Sequence, residues 1–100
     1  MNINPFDVLK NAHKLQEQMN GFQEKLETIK ATGSSGGSMV EIDINGRLEV
    51  LDVRIAPQAV QAGDTEMLQD LIMAAFTDAM TKVRESISSE VGAMGFPGVK

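Results

Sequence analysis

Seven apolar side chains, Val8, Ala12, Leu15, Met19, Phe22, Leu26 and Ile29, follow one another at alternating spacings of four and three residues. A 3.5-residue repeat held over about three heptads predicts an α-helix with a single narrow apolar seam. Such a stripe gains nothing in water, so something must cover it. Pro5 suits the first helical turn and Asn4 can cap it, so the helix is expected from Pro5 to about Ala31. At 1.5 Å per residue it would be roughly 40 Å long. In a chain of 100 residues, a helix of that length either projects from the body or pairs along its length.

The helix should stop at a slack run, since six of the seven residues from Gly33 to Met39 are Gly or Ser. The run does not fit a phosphate loop, which ends in Gly-Lys-Ser/Thr and opens a helix. It does not fit a domain linker either, because neither flank is long enough for its own core. It is expected to be a flexible joint over residues 33–38 within one domain spanning residues 1–100. Alternation resumes after it: Val40, Ile42 and Ile44 face one way, Glu41 and Asp43 the other. Asn45-Gly46 is a strong hairpin signal, and RLEVLDVRI returns as the second strand. Apolar parity slips between Val50 and Leu51, which predicts a bulge near residues 50–52. A turn-rich connector follows Pro57, and Asp64 or Thr65 is placed to cap a second long helix running to about Val91. Its apolar stripe is broad around Phe76 and narrows towards Ile87, as for a helix that lies on a sheet first and pairs with a helix later. Residues 92–100, with Gly92, Gly95, Pro97 and Gly98, should form an irregular tail.

The fold expected is therefore α+β: a long N-terminal helix, an antiparallel hairpin with a bulge, and a long C-terminal helix. An isolated hairpin is marginal in water, and two helices cannot shelter every apolar face named above. A twofold dimer meets both needs, by joining two hairpins into a wider sheet and pairing helical seams. Leu15, Met19, Phe22, Leu26, Val40, Ile42, Val53 and Phe76 are the residues expected in that core and interface.

Taken in order, the segments LKNAHKLQEQMNGFQEKL, GGSMVEIDINGRLEVLDVRIAP, MLQDLIMAAFTDAMTKVRE and MGFPG resemble the YbaB/EbfC family of bacterial nucleoid-associated proteins. The resemblance covers essentially the whole chain. Its departures are small: Phe96 stands where the family more often has Leu, and Ala56-Pro57 where an acidic residue often precedes the Pro. The resemblance implies a homodimer with a central sheet and projecting, tweezer-like helical arms. It also implies duplex DNA binding and a role in organising the nucleoid or modulating gene expression.

Formal charge is −5, which weighs against tight nucleic-acid binding. Charge is felt locally, however, within about 8–10 Å, so one edge can still be positive. Lys10, Lys14 and Lys25 fall within about 60° of one another around the first helix, away from its seam. Asn11, Gln16 and Gln18 add neutral donors, and Arg84 has no acidic residue four positions away. The DNA-contacting set expected is Lys10, Asn11, Lys14, Gln18, Lys25 and Arg84. The alternative is a solvated surface, with pairs such as Lys10–Asp7 and Lys14–Glu17. Lys82 is expected to be neutralised by Asp78 and Glu85, Arg47 to flank the turn, and Arg54 to point outwards.

Other chemistry finds little support. With no Cys and one His, thiolate chemistry and multi-His metal centres are excluded. His13 sits at an exposed b-type heptad position without an orienting acid, and Ser34, Ser35 and Ser38 have no base partner. Glu41, Asp43, Glu49 and Asp52 could gather as hard-metal ligands, although alternating acids on a solvent-facing strand are the far better explanation. The reading is non-enzymatic, with no cofactor, metal or small-molecule substrate. The N-terminus has no apolar signal region, and no run approaches the roughly 18 apolar residues of a membrane span. A cytoplasmic, nucleoid-associated location is expected. The competing reading is a scaffold protein whose helical seam holds a protein partner.

Overall fold

The computed structural model describes residues 4–93. Its elements are α1 (Pro5–Thr28), β1 (Lys30–Ser35), β2 (Val40–Asn45), β3 (Val50–Ile55), α2 (Pro57–Gln61) and α3 (Thr65–Ala93). The α+β order is as expected, with a sheet of three antiparallel strands in the order β1-β2-β3.

Local chemistry sets the ends of α1. The Asn4 Oδ1 accepts the Phe6 N–H at 3.0 Å, Pro5 opens the helix, and Asp7 lies in its first turn. These groups satisfy an otherwise orphaned amide and suit the positive end of the helix dipole. The helix stops at Thr28, short of the expected Ala31, because Ile29 turns to extended backbone and buries its side chain. The last member of the seam thus belongs to the body of the molecule.

Beyond it, the expected joint is a structured strand and turn. Lys30 to Ser35 pair residue for residue with Asn45 to Val40, so Gly33, Ser34 and Ser35 are part of the sheet. Only Gly36 to Met39 form the connection. Gly36, Gly37 and Ser38 all have positive φ, which explains two of the glycines by backbone conformation. Gly33 has a different role. A Cβ there would lie 2.0 Å from the Ala75 carbonyl oxygen and 2.3 Å from the Ala79 nitrogen, so the missing side chain is what lets α3 rest on β1.

The parity slip in the last strand is a bulge, where expected. Asp43 faces Asp52 while Ile44 faces Val50, leaving Leu51 without a partner. One face of β2, formed by Val40, Ile42 and Ile44, packs on Ala75, Ala79 and Val83 of α3, and all six are buried. Leu68, Leu71, Ile72, Phe76, Met80 and Ile87 surround that contact. Asp64 caps α3 by accepting the Met67 N–H. The connector at Pro57 forms the short α2, with Ala59 buried. The helix runs through Gly92 to Ala93, where an irregular tail was expected; the rest of that stretch, residues 94–100, lies outside the described residues.

No residue of α1 is buried, and the molecule is 70 Å long but only 23 by 19 Å across. The first helix is an arm. Its base is fixed by the β2–β3 turn, where the Gly46 N–H donates to the carbonyls of both Leu26 and Ile29 at 2.9 Å. A Cβ on Gly46 would lie 2.6 Å from the Leu26 carbonyl oxygen, so this glycine too is required for close approach. The turn itself is held by the buried Asn45. Its Oδ1 accepts the Arg47 and Glu49 N–H groups, and its Nδ2 donates to Glu49 at 2.9 Å.

Candidate nucleic-acid interface

The arm presents the polar side chains that the heptad seam does not use. Lys10, Asn11, Lys14 and Gln18 are exposed on the part of α1 that extends away from the sheet. Among the described residues, Lys10 and Lys14 form no ion pair, with Asp7, Glu17 or any other acid. Lys25 differs. Its Nζ lies 3.1 Å from a Glu90 carboxylate oxygen, which ties the base of α1 to the far end of α3. The three lysines share a face, but only the outer two are uncommitted. Residues 5–16 carry two lysines against one aspartate, whereas residues 17–28 carry three glutamates against one lysine. The positive end of the arm is its tip.

Arg84 is exposed on α3 and forms no ion pair among the described residues. Six residues before Glu90, it lies about 9 Å along the helix from the root of the arm. Lys30, exposed at the start of β1, also forms no ion pair among the described residues, whereas Arg47, Lys82 and Arg54 are occupied. Arg47 reaches Glu27 at 2.6 Å, a second clamp on the base of α1. Lys82 binds Asp78 at 3.0 Å and the Thr32 carbonyl at 3.1 Å, as its acidic neighbour suggested. The Asp78 carboxylate also accepts the Ser34 N–H at 3.0 Å, and that bond, with Lys82, holds its pKa below the usual range.

The sheet face turned away from α3 is acidic. There Arg54 points outwards, within 2.7 Å of both Asp43 and Asp52 and 3.7 Å of Glu41. The hydrogen bonds from Arg54, reinforced by one from Thr32, lower the Asp43 pKa to about 2. Its hydrogen bonds to Asp43 and Asp52 raise Arg54 further above its ordinary value. Glu41, Asp43 and Asp52 are thus gathered by a cation rather than left open as ligands, and Glu49 is engaged elsewhere with Asn45. A phosphate would meet this face with net repulsion.

The third surface is apolar. α3 covers β1 and β2 but leaves β3 uncovered, so Val50, Val53 and Ile55 stand 52%, 47% and 37% exposed. Val50 and Val53, with Ile42, Ile72, Met73, Phe76 and Thr77, line an open groove along the free edge of the sheet. Of the expected core and interface residues, Val40 and Ile42 are buried. Phe76, Phe22 and Leu26 are half-buried; Val53, Leu15 and Met19 are exposed. The sequence pattern singled out Val53 and Phe76 separately and missed that Val50, Ile72 and Met73 join them in one strip. The parity of Val53 and Ile55 was a signal, but the reach of α3 over the sheet decides which strand stays open. Among the described residues, no helix is long and apolar enough to cross a membrane.

Comparison with known proteins places these features in context. The profile of the YbaB/EbfC DNA-binding family matches residues 1–98. A nucleoid-associated protein of Dictyoglomus thermophilum is 38% identical, over 91% of this chain and 88% of its own length. One from Clostridium novyi is 39% identical, over 99% of this chain and 89% of its own length. The crystal structure of an uncharacterised Helicobacter pylori protein superposes with a TM-score of 0.74 at 24% identity. It covers 93% of this chain and 98% of that one. At that identity the likeness concerns the fold.

Proposed function

Because the chain belongs to the YbaB/EbfC DNA-binding family, we propose that it is a homodimer that holds duplex DNA with its helical arms, largely without regard to sequence. The observation that carries this reading is the tip of α1, which stands clear of the body with Lys10 and Lys14 free of acidic partners among the described residues and Asn11 and Gln18 beside them. Flexible ammonium groups and side-chain amides meet phosphate oxygens readily, and phosphate contacts position a protein without reading bases. The acidic face around Arg54 turns DNA away from the sheet and towards the arms. Arg84 is the additional contact at the arm's root, while Lys25 contributes only when DNA displaces Glu90.

The dimer is supported by the β3 edge. An uncovered edge strand with an apolar face is an aggregation hazard unless something pairs with it. A second copy across a twofold axis covers both edges at once. Association of this kind fits a role in nucleoid organisation or gene regulation within the cytoplasm, with no catalysis and no small-molecule substrate.

The test is a salt titration of binding to mixed-sequence duplex. Binding is expected at low salt and to fall steeply with ionic strength, by about 0.9 in log–log slope per phosphate neutralised. Replacing Lys10 and Lys14 with Ala should flatten the slope by about one unit for each phosphate no longer engaged. The exposed seam of α1 favours a second reading, a non-enzymatic scaffold that holds a helix. A folded dimer that fails to bind duplex at low salt would support the scaffold over the DNA reading.

A further inference from the structure

The basic tip and the β3 edge leave one large feature unused, the apolar seam of α1. Val8, Leu15 and Met19 are 52%, 61% and 62% exposed, and the contacts that hold α1 to the body come from Lys25, Leu26 and Glu27 at its base. We propose that this seam is covered by the α1 of another copy, packed antiparallel, so that molecules join arm to arm as well as through β3.

The sequence of the arm favours a copy of itself. A 3.5-residue repeat is matched best by a helix with the same repeat, because each knob then meets a hole along the whole seam. The positions flanking the seam are Leu9, Gln16 and Gln23 on one side and Asn11, Gln18 and Lys25 on the other. Only one of the six is charged, so two copies approach without a ladder of like charges. Antiparallel pairing also fits the sizes. Aligned about residue 17, Leu15 meets Met19 of the second copy, Val8 meets Leu26, and the small Ala12 meets the large Phe22. Parallel pairing would stack Ala12 on Ala12 and Phe22 on Phe22.

Charge selects the same orientation. Antiparallel packing sets the net-positive tip, with Lys10 and Lys14, against the net-negative base, with Glu17, Glu24 and Glu27. It also opposes the two helix dipoles. Parallel packing would place tip on tip and base on base. The basic stripe remains accessible, since Lys10 and Lys14 lie roughly 140° around the helix from the centre of the seam. If the β3 dimer proposed above also forms, two different twofold contacts on one molecule generate an open chain of copies. DNA-contacting arms would then repeat along it.

Sedimentation velocity over a range of protein concentrations, without DNA, tests this. The unmodified protein is expected to form species larger than two copies as concentration rises. Leu15→Glu combined with Met19→Glu should abolish every species above two copies while leaving circular dichroism unchanged, because both side chains are exposed. Val53→Glu should instead leave pairs held through α1. If the unmodified protein pairs, resists Val53→Glu and becomes monomeric with the α1 variant, the arm contact stands and the β3 reading fails. A protein that stops at two copies and keeps them in the α1 variant, or one whose larger assemblies ignore that variant, overturns the proposal. The chain has no cysteine, so introduced ones report orientation cleanly. Oxidising a mixture of Leu15→Cys and Met19→Cys proteins should cross-link one to the other, whereas Val8→Cys alone should not link to itself. The reverse result overturns the antiparallel arrangement.

Discussion

Replacing Gly33 with Ala adds one methyl group to what looks, in the sequence, like a flexible run. The structure predicts severe destabilisation. The new Cβ would stand 2.0 Å from the Ala75 carbonyl oxygen, 2.3 Å from the Ala79 nitrogen and 2.7 Å from the Ala79 Cβ, where ordinary contact begins near 3.4 Å. Two of these atoms are helix backbone and cannot rotate away, so α3 must retreat from β1 by an amount on the order of 1 Å. A radial gap of that size forfeits about a quarter to a half of each dispersion well it opens. The wells concerned are those between Val40, Ile42 and Ile44 and the alanines and Val83 opposite. Overpacking commonly costs about 1–3 kcal/mol, and obstruction by backbone on both sides places this case at about 3 kcal/mol or above. A domain of this size has only about 5–15 kcal/mol to lose. At about 4–8 °C per kcal/mol, the melting temperature should fall by about 12 °C or more. Gly21→Ala is the control: nothing lies within 4 Å of where its methyl group would stand, and the position is in mid-helix. That change should stabilise by about 0.5–1 kcal/mol. Thermal and urea unfolding followed by circular dichroism would measure both, at fixed protein concentration because association shifts the midpoint. A Gly33→Ala protein as stable as the unmodified one would refute the account of how α3 and β1 meet.

Two further outcomes follow from the turn and the sheet face. Asn45→Ala strands the Arg47 and Glu49 amides in a half-buried turn and should cost about 1–3 kcal/mol in urea unfolding. Asp43, held at about 2 by Arg54 and Thr32 against an ordinary 3.8, binds fewer protons folded than unfolded between those values. Its contribution to stability is therefore fully present above the ordinary value and is lost as pH falls towards 2. Asp43→Asn should flatten the acid limb of the stability–pH curve in that window, and an unchanged limb would show that the Arg54 cluster does not bias folding.

What was legible in the chain was what local periodicity encodes. The seam of α1, the alternation of β2, the slip at Leu51 and the stripe of α3 each need only neighbouring residues to be read. β1 was illegible for a physical reason. Its inward residues are Ala31, Gly33 and Ser35, opposite Ile44, Ile42 and Val40, and they are small because α3 lies directly on them. A strand that must admit a helix at backbone distance lacks the large alternating side chains by which strands are recognised, so it reads as slack. The same spareness hid why Gly46 matters, since its neighbour Leu26 comes from another element.

The candidate interface divides along the same line. Spacing around one helix placed Lys10 and Lys14 on a common face away from the seam, with Asn11 and Gln18 between that face and the seam, because helical geometry alone relates residues a turn apart. Whether each cation is free depends on partners brought from elsewhere: Glu90 reaches Lys25 across 65 positions, and Asp43 reaches Arg54 from the next strand. Equally, composition alone says that apolar surface exceeds what one copy can hide. Only the lie of α3, over β1 and β2 and short of β3, decides that the free edge and the arm are where that surface remains, because coverage depends on where whole elements come to rest.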